Sequence, residues 1–347
     1  MILVSFYSLT FSDLEQMLRE QELNPHGARV LFNWVYKKKK RGLPEDLALK
    51  TKEYLQNHVS FELPKVIKDQ NVIQNHQNST QKFLIKFHDS KTVECVLIPF
   101  QGKYTLCLSS QVGCAMKCSF CYTGTQGLFR SLTSEEIVGQ LMSTHHWLKG
   151  QGLELKITNL VFMGQGEPLH NFEAVQTACT IFLSQNGLSL GREKITISTA
   201  GYLPGLDKWL TSSLNVNLAL SLHSTQDSVR NELIPLNKAY PLRDILELLK
   251  KWPLEAKRFI TFEYLLIKDL NDSEKDAHEL GRTLSSFAAL INLIPFNSFP
   301  GSVYERPDTK KTQAFHKTLS EYSIPTMIRK TKGDDILAAC GQLNSSQ

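Results

Sequence analysis

The chain has 347 residues, 41% of them hydrophobic and 21% charged, so a packed core is expected and disorder is not. The net charge of +5 is mild and accommodates a nucleic-acid partner without demanding one. No apolar run approaches the roughly 18 residues of a membrane helix. The opening Met1-Ile2-Leu3-Val4 lacks the basic flank of a secretory signal, and seven cysteines without such a signal read as reduced thiols of a cytoplasmic protein rather than a disulfide scaffold.

Residues 1–60 read as a helical accessory domain. Ser12-Asp-Leu-Glu15 has the form of a capping box, and a second helix is expected after Pro25, running into the basic stretch Lys37 to Arg41. Residues 61–103 change character. Lys82–Phe87 and Thr92–Ile98 read as strands of a short connector, and residues 71–81 as a polar loop before them. From 104 to 343, strands are expected at Tyr104–Ser109, Ile157–Met163, Lys194–Thr199, Val216–His223, Phe259–Ile267 and Leu290–Phe296. Helical patterns lie between them, one opening with the capping box Thr133-Ser-Glu-Glu136. This is an α/β pattern of strand–helix units with a parallel sheet. Six units fall short of a complete eight-unit barrel, so a partial (β/α)6 barrel is expected, with its chemistry at the C-terminal ends of the strands.

The sharpest chemical signal is Cys114-Ala-Met-Lys-Cys118-Ser-Phe-Cys121, just past the first barrel strand. Three thiols this close do not pair off as disulfides. Structural zinc sites want four protein ligands, whereas iron–sulfur clusters are held by cysteine thiolates in tight runs. Three ligands to a four-iron cluster leave one iron open. The bland alternative is a zinc site completed by a distant Cys or His.

With Phe120 before its third cysteine, this loop resembles the radical S-adenosylmethionine superfamily. Further motifs narrow the resemblance: Cys107-Leu-Ser-Ser-Gln-Val-Gly-Cys114, Phe162-Met-Gly-Gln-Gly-Glu-Pro-Leu169, Ser221-Leu-His223, Ile291-Asn-Leu-Ile-Pro-Phe-Asn297, Arg329-Lys-Thr-Lys-Gly-Asp-Asp-Ile336 and Ala339-Cys340-Gly-Gln-Leu343. Together they resemble the RlmN/Cfr family of rRNA adenine methyltransferases over residues 10–343, and more closely its RlmN branch. The chain departs from the family pattern at Tyr122, where small residues are common, and at Gln165, where Met is frequent.

The resemblance implies a 4Fe–4S cluster on Cys114, Cys118 and Cys121, with S-adenosylmethionine bound by Gly166, Glu167, Ser198, Ser221, Leu222, His223 and Asn297. It implies that two such cofactors serve each turnover. One methylates Cys340, and the other supplies a radical that activates that methyl group toward carbon 2 of an adenine. Cys107 then resolves the protein–RNA link by forming a disulfide with Cys340, and Glu94 accepts the carbon 2 proton. The implied partners are 23S rRNA, tRNA as a further substrate, and an electron donor such as flavodoxin or ferredoxin, with no membrane. Taken singly, Cys107 reads as a packed strand residue, Cys340 as a buried thiol, Glu94 as a solvent-facing strand residue and His223 as a core histidine. Cys95 and Cys179 match no catalytic position and read as structural. Alternatives are a carbon 8 enzyme of the Cfr type and a non-catalytic iron–sulfur RNA-binding paralogue. Two basic groups, Lys37 to Arg41 and Arg329 with Lys330 and Lys332, would meet phosphates, and a target adenine must be splayed out of its helix.

Overall fold

A computed structural model describes residues 3–70, 79–252, 255 and 258–344; most of the polar loop expected at 71–81 lies outside them. At the N-terminus, Val4–Ser5 (β1) pairs in parallel with Val59–Ser60 (β2). The helix Phe11–Glu20 between them is capped by Thr10, not Ser12: the Thr10 hydroxyl accepts from Asp13 N, and the Asp13 carboxylate accepts from Thr10 N at 2.9 Å. Two overlapping boxes compete here. The earlier start makes Phe11 the first helical residue, where its ring packs edge-on against Phe32. The second helix, His26–Phe32, follows Pro25 as expected.

One ten-stranded sheet organises the rest. Lys65–Gln70 (β3), Gln81–Lys86 (β4), Thr92–Phe100 (β5) and Lys103–Cys107 (β6) run antiparallel. A small hairpin follows, Gln111–Gly113 (β7) against Leu128–Ser131 (β8), with the cysteine triplet between its arms. The parallel half then adds Ile157–Phe162 (β9), Ile195–Thr199 (β10), Asn217–Ser221 (β11), Ile260–Leu266 (β12), Ala289–Pro295 (β13) and Thr326–Ile328 (β14), starting from β6. All six expected barrel strands are present. The short β14 carries too little pattern over its three residues to be read from sequence. The sheet stays open between its edge strands β3 and β14, so the partial barrel holds. Strand β6 belongs to both halves, and the expected connector therefore continues the barrel sheet itself.

Helices Ser134–Gly150, Phe172–Leu183, Leu203–Thr211, Leu242–Lys250, Glu274–Leu284 and Thr309–Ser320 return the chain between successive parallel strands, as a parallel sheet requires. The capping box at Thr133 is present, with Glu136 as its partner. Phe6, Leu14, Phe32 and Tyr36 share one continuous apolar core with the Ser134–Gly150 helix and the sheet. Buried Phe83 meets Trp147 with ring centroids 5.5 Å apart, and Cys95 meets Thr144, so the odd-numbered residues of β4 and β5 face that helix. Their even-numbered neighbours Lys82, Glu94 and Val96 face the opposite way.

Candidate active site

The ends of the parallel strands and the loops after them enclose two adjoining cavities. The first is lined by Cys114, Cys118 and Cys121, by Gly166 and Glu167, and by Ser198, Ser221 and His223. Cys340 also borders it. The second, of about 570 Å³, lies inside the barrel and is lined by Cys107, Cys340, Asn297 and Arg329 among others. Cys340, Met163, Glu263 and Ile294 belong to both walls.

The triplet sits on an irregular loop held from several sides. Cys114 N donates to Gly127 O at 2.8 Å, Ser119 N to Leu233 O at 3.1 Å, and Gly124 N to Cys121 O at 3.0 Å. Burial pushes the Cys114 thiol up to about 12 and raises those of Cys118 and Cys121, and neighbouring thiols push each the same way. Such thiols stay protonated unless a cation compensates, and metal ligation supplies that compensation. Among the described residues, no three Cys, His, Asp or Glu side chains converge on a single ion. Three thiols in so tight a run on one cavity wall suit a cluster, where each iron takes its own sulfur.

Beside the triplet, Gly166 adopts φ +98°, and a side chain there would collide with Gln111. Only glycine fits this approach, which opens the backbone to the cavity. Glu167 is buried; its carboxylate accepts from Ala200 N at 2.8 Å and Leu169 N at 3.1 Å. Burial holds it up at about 7, opposed by those hydrogen bonds. A desolvated carboxylate facing a cavity is a ready partner for a ligand ammonium. His223, at φ +59°, accepts from Leu265 N at its Nδ1 at 3.1 Å. Burial and nearby Arg230 lower its pKa to about 3, so the ring is neutral with its proton on Nε2. Phe120 meets the His223 ring edge-on at 4.7 Å. Leu222 does not line either cavity; it is buried, and its carbonyl accepts from Arg230. Asn297 lies on the barrel-side wall and donates to Cys340 O at 3.3 Å.

Cys107 is buried at the end of β6, and burial followed by the nearby Cys340 raises its pKa. Cys340 is half-buried; burial raises its thiol and Arg329 opposes that. Glu94 is buried on β5, contrary to a solvent-facing strand residue, because its side chain points away from the Ser134–Gly150 helix toward the C-terminal segment. Neither cavity lining includes it. Its carboxylate pairs with Lys82 and accepts from Asn344 N. Cys95 and Cys179 are fully buried, in keeping with structural thiols.

Several residues that position the site were given no role by the sequence, and Gln165 and Tyr122 stood out there only as departures from the family pattern. Arg230 is fully buried, and its guanidinium donates to the carbonyls of Ala200, Ser221 and Leu222, tying the ends of β10 and β11 together. Its helix, Asp227–Leu233, has no pattern that marks it. Gln165 is fully buried, and its side-chain oxygen accepts from Glu94 N at 2.8 Å; an amide thus braces the Glu94 strand where Met is frequent. Tyr122 stacks on Phe299 at 5.1 Å, and its N–H reaches Gly341 O at 2.7 Å. Glu263 borders both cavities, and burial raises its pKa against the pull of Arg329. An acid within the apolar strand Phe259–Ile267 was its one sequence signal.

Comparison with known proteins agrees with this geometry. The model of the radical SAM superfamily matches residues 108–281. The chain is 41% identical to a dual-specificity RNA methyltransferase RlmN of Bdellovibrio bacteriovorus, covering 99% of this chain and 84% of that one. It is 39% identical to the protein of the same name from Pelobacter propionicus, covering 97% and 94%. A solved radical SAM methyltransferase from Sphaerobacter thermophilus superposes with a TM-score of 0.89 at 34% identity, covering 99% of this chain and all of that one. The cofactors are accordingly a 4Fe–4S cluster and S-adenosylmethionine, and the triplet, the Gly166 turn and Glu167 fit them. This chain belongs to the RlmN family of radical SAM RNA methyltransferases.

Proposed function

We propose that this chain methylates carbon 2 of an adenine in 23S rRNA, and in tRNA as a further substrate, through a methyl group carried on Cys340. The observation that carries the reading is the position of Cys340. It borders the cavity of the cysteine triplet and also the cavity of Cys107.

Carbon 2 lies between two ring nitrogens and is too electron-poor to displace a methyl group from a sulfonium. When bound, the cluster and S-adenosylmethionine supply the methyl group and the one-electron chemistry that bypasses this obstacle. Cys114, Cys118 and Cys121 hold the cluster. Glu167 and the Gly166 backbone hold the methionine part of the cofactor, with Ser198, Ser221 and His223 on the same cavity wall; Leu222 lies behind that wall and Asn297 on the barrel-side wall. The Cys340 sulfur carries the methyl carbon to the base and stays linked to it. By the family resemblance Glu94 takes the proton from carbon 2, although in this structure its carboxylate pairs with Lys82 and lines neither cavity. The Cys107 sulfur then attacks the Cys340 sulfur; an S–S bond forms, the Cys340 S–C bond breaks, and the methyl carbon leaves with the electron pair and a proton. Such exchange requires a thiolate at Cys107; burial raises both thiols above the ordinary range, and the Arg329 guanidinium opposes that rise in each. A flavodoxin- or ferredoxin-type donor would supply single electrons to the cluster, and a separate dithiol reductant would return the disulfide to thiols with two electrons and two protons. Arg329, Lys330 and Lys332 line the barrel cavity beside Cys340 and would meet the phosphates of the target loop.

The test is anaerobic incubation of the cluster-loaded protein with S-adenosylmethionine, a reductant and unmodified 23S rRNA, followed by mass spectrometry of the digested RNA. Wild type forms 2-methyladenosine and Cys340→Ala does not. Formation of 8-methyladenosine instead would retain the thiol chemistry and overturn the carbon 2 assignment. Cofactor cleavage without either product would overturn the RNA assignment.

A further inference from the structure

Lys82 is a lysine in the interior, 8% exposed. In the antiparallel register of β4 and β5, Lys82 stands opposite Val96 and Leu84 opposite Glu94. Lys82 and Glu94 are therefore diagonal neighbours on the same face. The Lys82 ammonium lies 2.9 Å from Glu94 Oε1 and 3.2 Å from the carbonyl of Leu337. The other carboxylate oxygen, Glu94 Oε2, accepts from the backbone N–H of Asn344 at 2.8 Å. One buried ion pair thus grips the segment that carries Cys340 at both ends.

The segment needs such ties. It is irregular, with Leu337 at φ +51° and Gly341 at φ +83°, so it has no helix or strand ladder to hold it. Its middle is held by single contacts: Asn297 on Cys340 O, Tyr122 N–H on Gly341 O, Thr123 on Leu343 O at 2.7 Å, and the Gln342 amide, which donates to Ser298 O at 2.7 Å. A buried ion pair is a poor device for stability alone, because an apolar pair of similar volume commonly serves as well. What the pair adds here is a tie from the paired strands β4 and β5 to both ends of that segment.

We propose that the Lys82–Glu94 pair is a latch that clamps both ends of the Cys340 segment, making Lys82 a positioning residue for that thiol. The latch stands on geometry alone; its consequence for methyl transfer rests on the function proposed above.

Hydrogen–deuterium exchange on the cluster-loaded full chain tests it, read in peptides covering 334–344. Lys82→Met and Glu94→Gln speed exchange there by about tenfold, Lys82→Arg stays within about twofold of wild type, and the exposed-site control Lys103→Met changes nothing. The visible absorption of the cluster is the same in all. Exchange at the wild-type rate in both Lys82→Met and Glu94→Gln overturns the latch. If Lys82→Met loosens the whole chain, Glu94→Gln, which preserves volume, decides. A second readout is the mass of the Cys340 peptide after incubation with S-adenosylmethionine. Methylation is about tenfold slower in Lys82→Met and restored in Lys82→Arg. Wild type without any methyl on Cys340 overturns the proposed function, while the exchange result still decides the latch.

Discussion

The two cavities are built in opposite ways. The triplet side is local: its three cysteines fall within eight consecutive residues, and the Gly166 turn follows one strand later. The barrel side is assembled from afar: Cys107 ends β6, Glu94 sits on β5, and Cys340 and Arg329 arrive from the C-terminal end of the chain. The local site needs a stiff short loop. The distant site needs long-range ties, here Lys82 with Glu94, Asn297 and Tyr122. Under the proposed function, generating the reactive species falls to a short local loop and delivering it to RNA to an irregular segment anchored from afar.

The largest expected effect breaks both sides at once. Cys118→Ala loses the cluster, and cofactor cleavage falls by roughly a thousandfold or more. Iron content per chain and 5′-deoxyadenosine yield check this, and wild-type cleavage would end the distinction between the cavities. Cys107→Ala separates them. Cofactor cleavage stays within several-fold of wild type, while release of methylated RNA falls by roughly a hundredfold and protein-linked RNA accumulates on denaturing gels.

Arg230→Met strikes the frame beneath the cofactor site. Three carbonyls lose their buried donor, costing about 3–5 kcal/mol in apoprotein stability by denaturant titration. The smallest effect is a slope. Because Glu167 is held at about 7 against an ordinary 4.5, the folded chain keeps a proton that the unfolded chain has released. Apoprotein stability therefore falls as pH rises from about 4.5 to about 7, and Glu167→Gln flattens that part of the curve. A curve equally steep in Glu167→Gln would show that the carboxylate is not held as the structure has it.

Legibility followed the same division. Strand–helix alternation and the Thr133 capping box were readable because their signals repeat within a turn or a strand. The Thr10 cap was misplaced by two residues because two boxes overlap, and only contact of Phe11 with Phe32 separates them. Glu94 looked like a solvent-facing residue because alternation along a strand does not say what covers its far face. Lys82 and Arg230 carry no local signal, and Gln165 stood out only as a departure from the family pattern, since each is explained by partners distant along the chain.

The sequence by itself determined the α/β architecture, the cysteine triplet as a motif and the small-residue setting of Cys340. Those features depend on residue type and on spacing over a few positions. Only the tertiary structure decided that the antiparallel strands extend the barrel sheet and that Arg230 ties two strand ends. Only it, too, placed Cys340 between two cavities under a buried ion pair. A buried charge is stable only where its partner lies, and that meeting is a property of the folded chain.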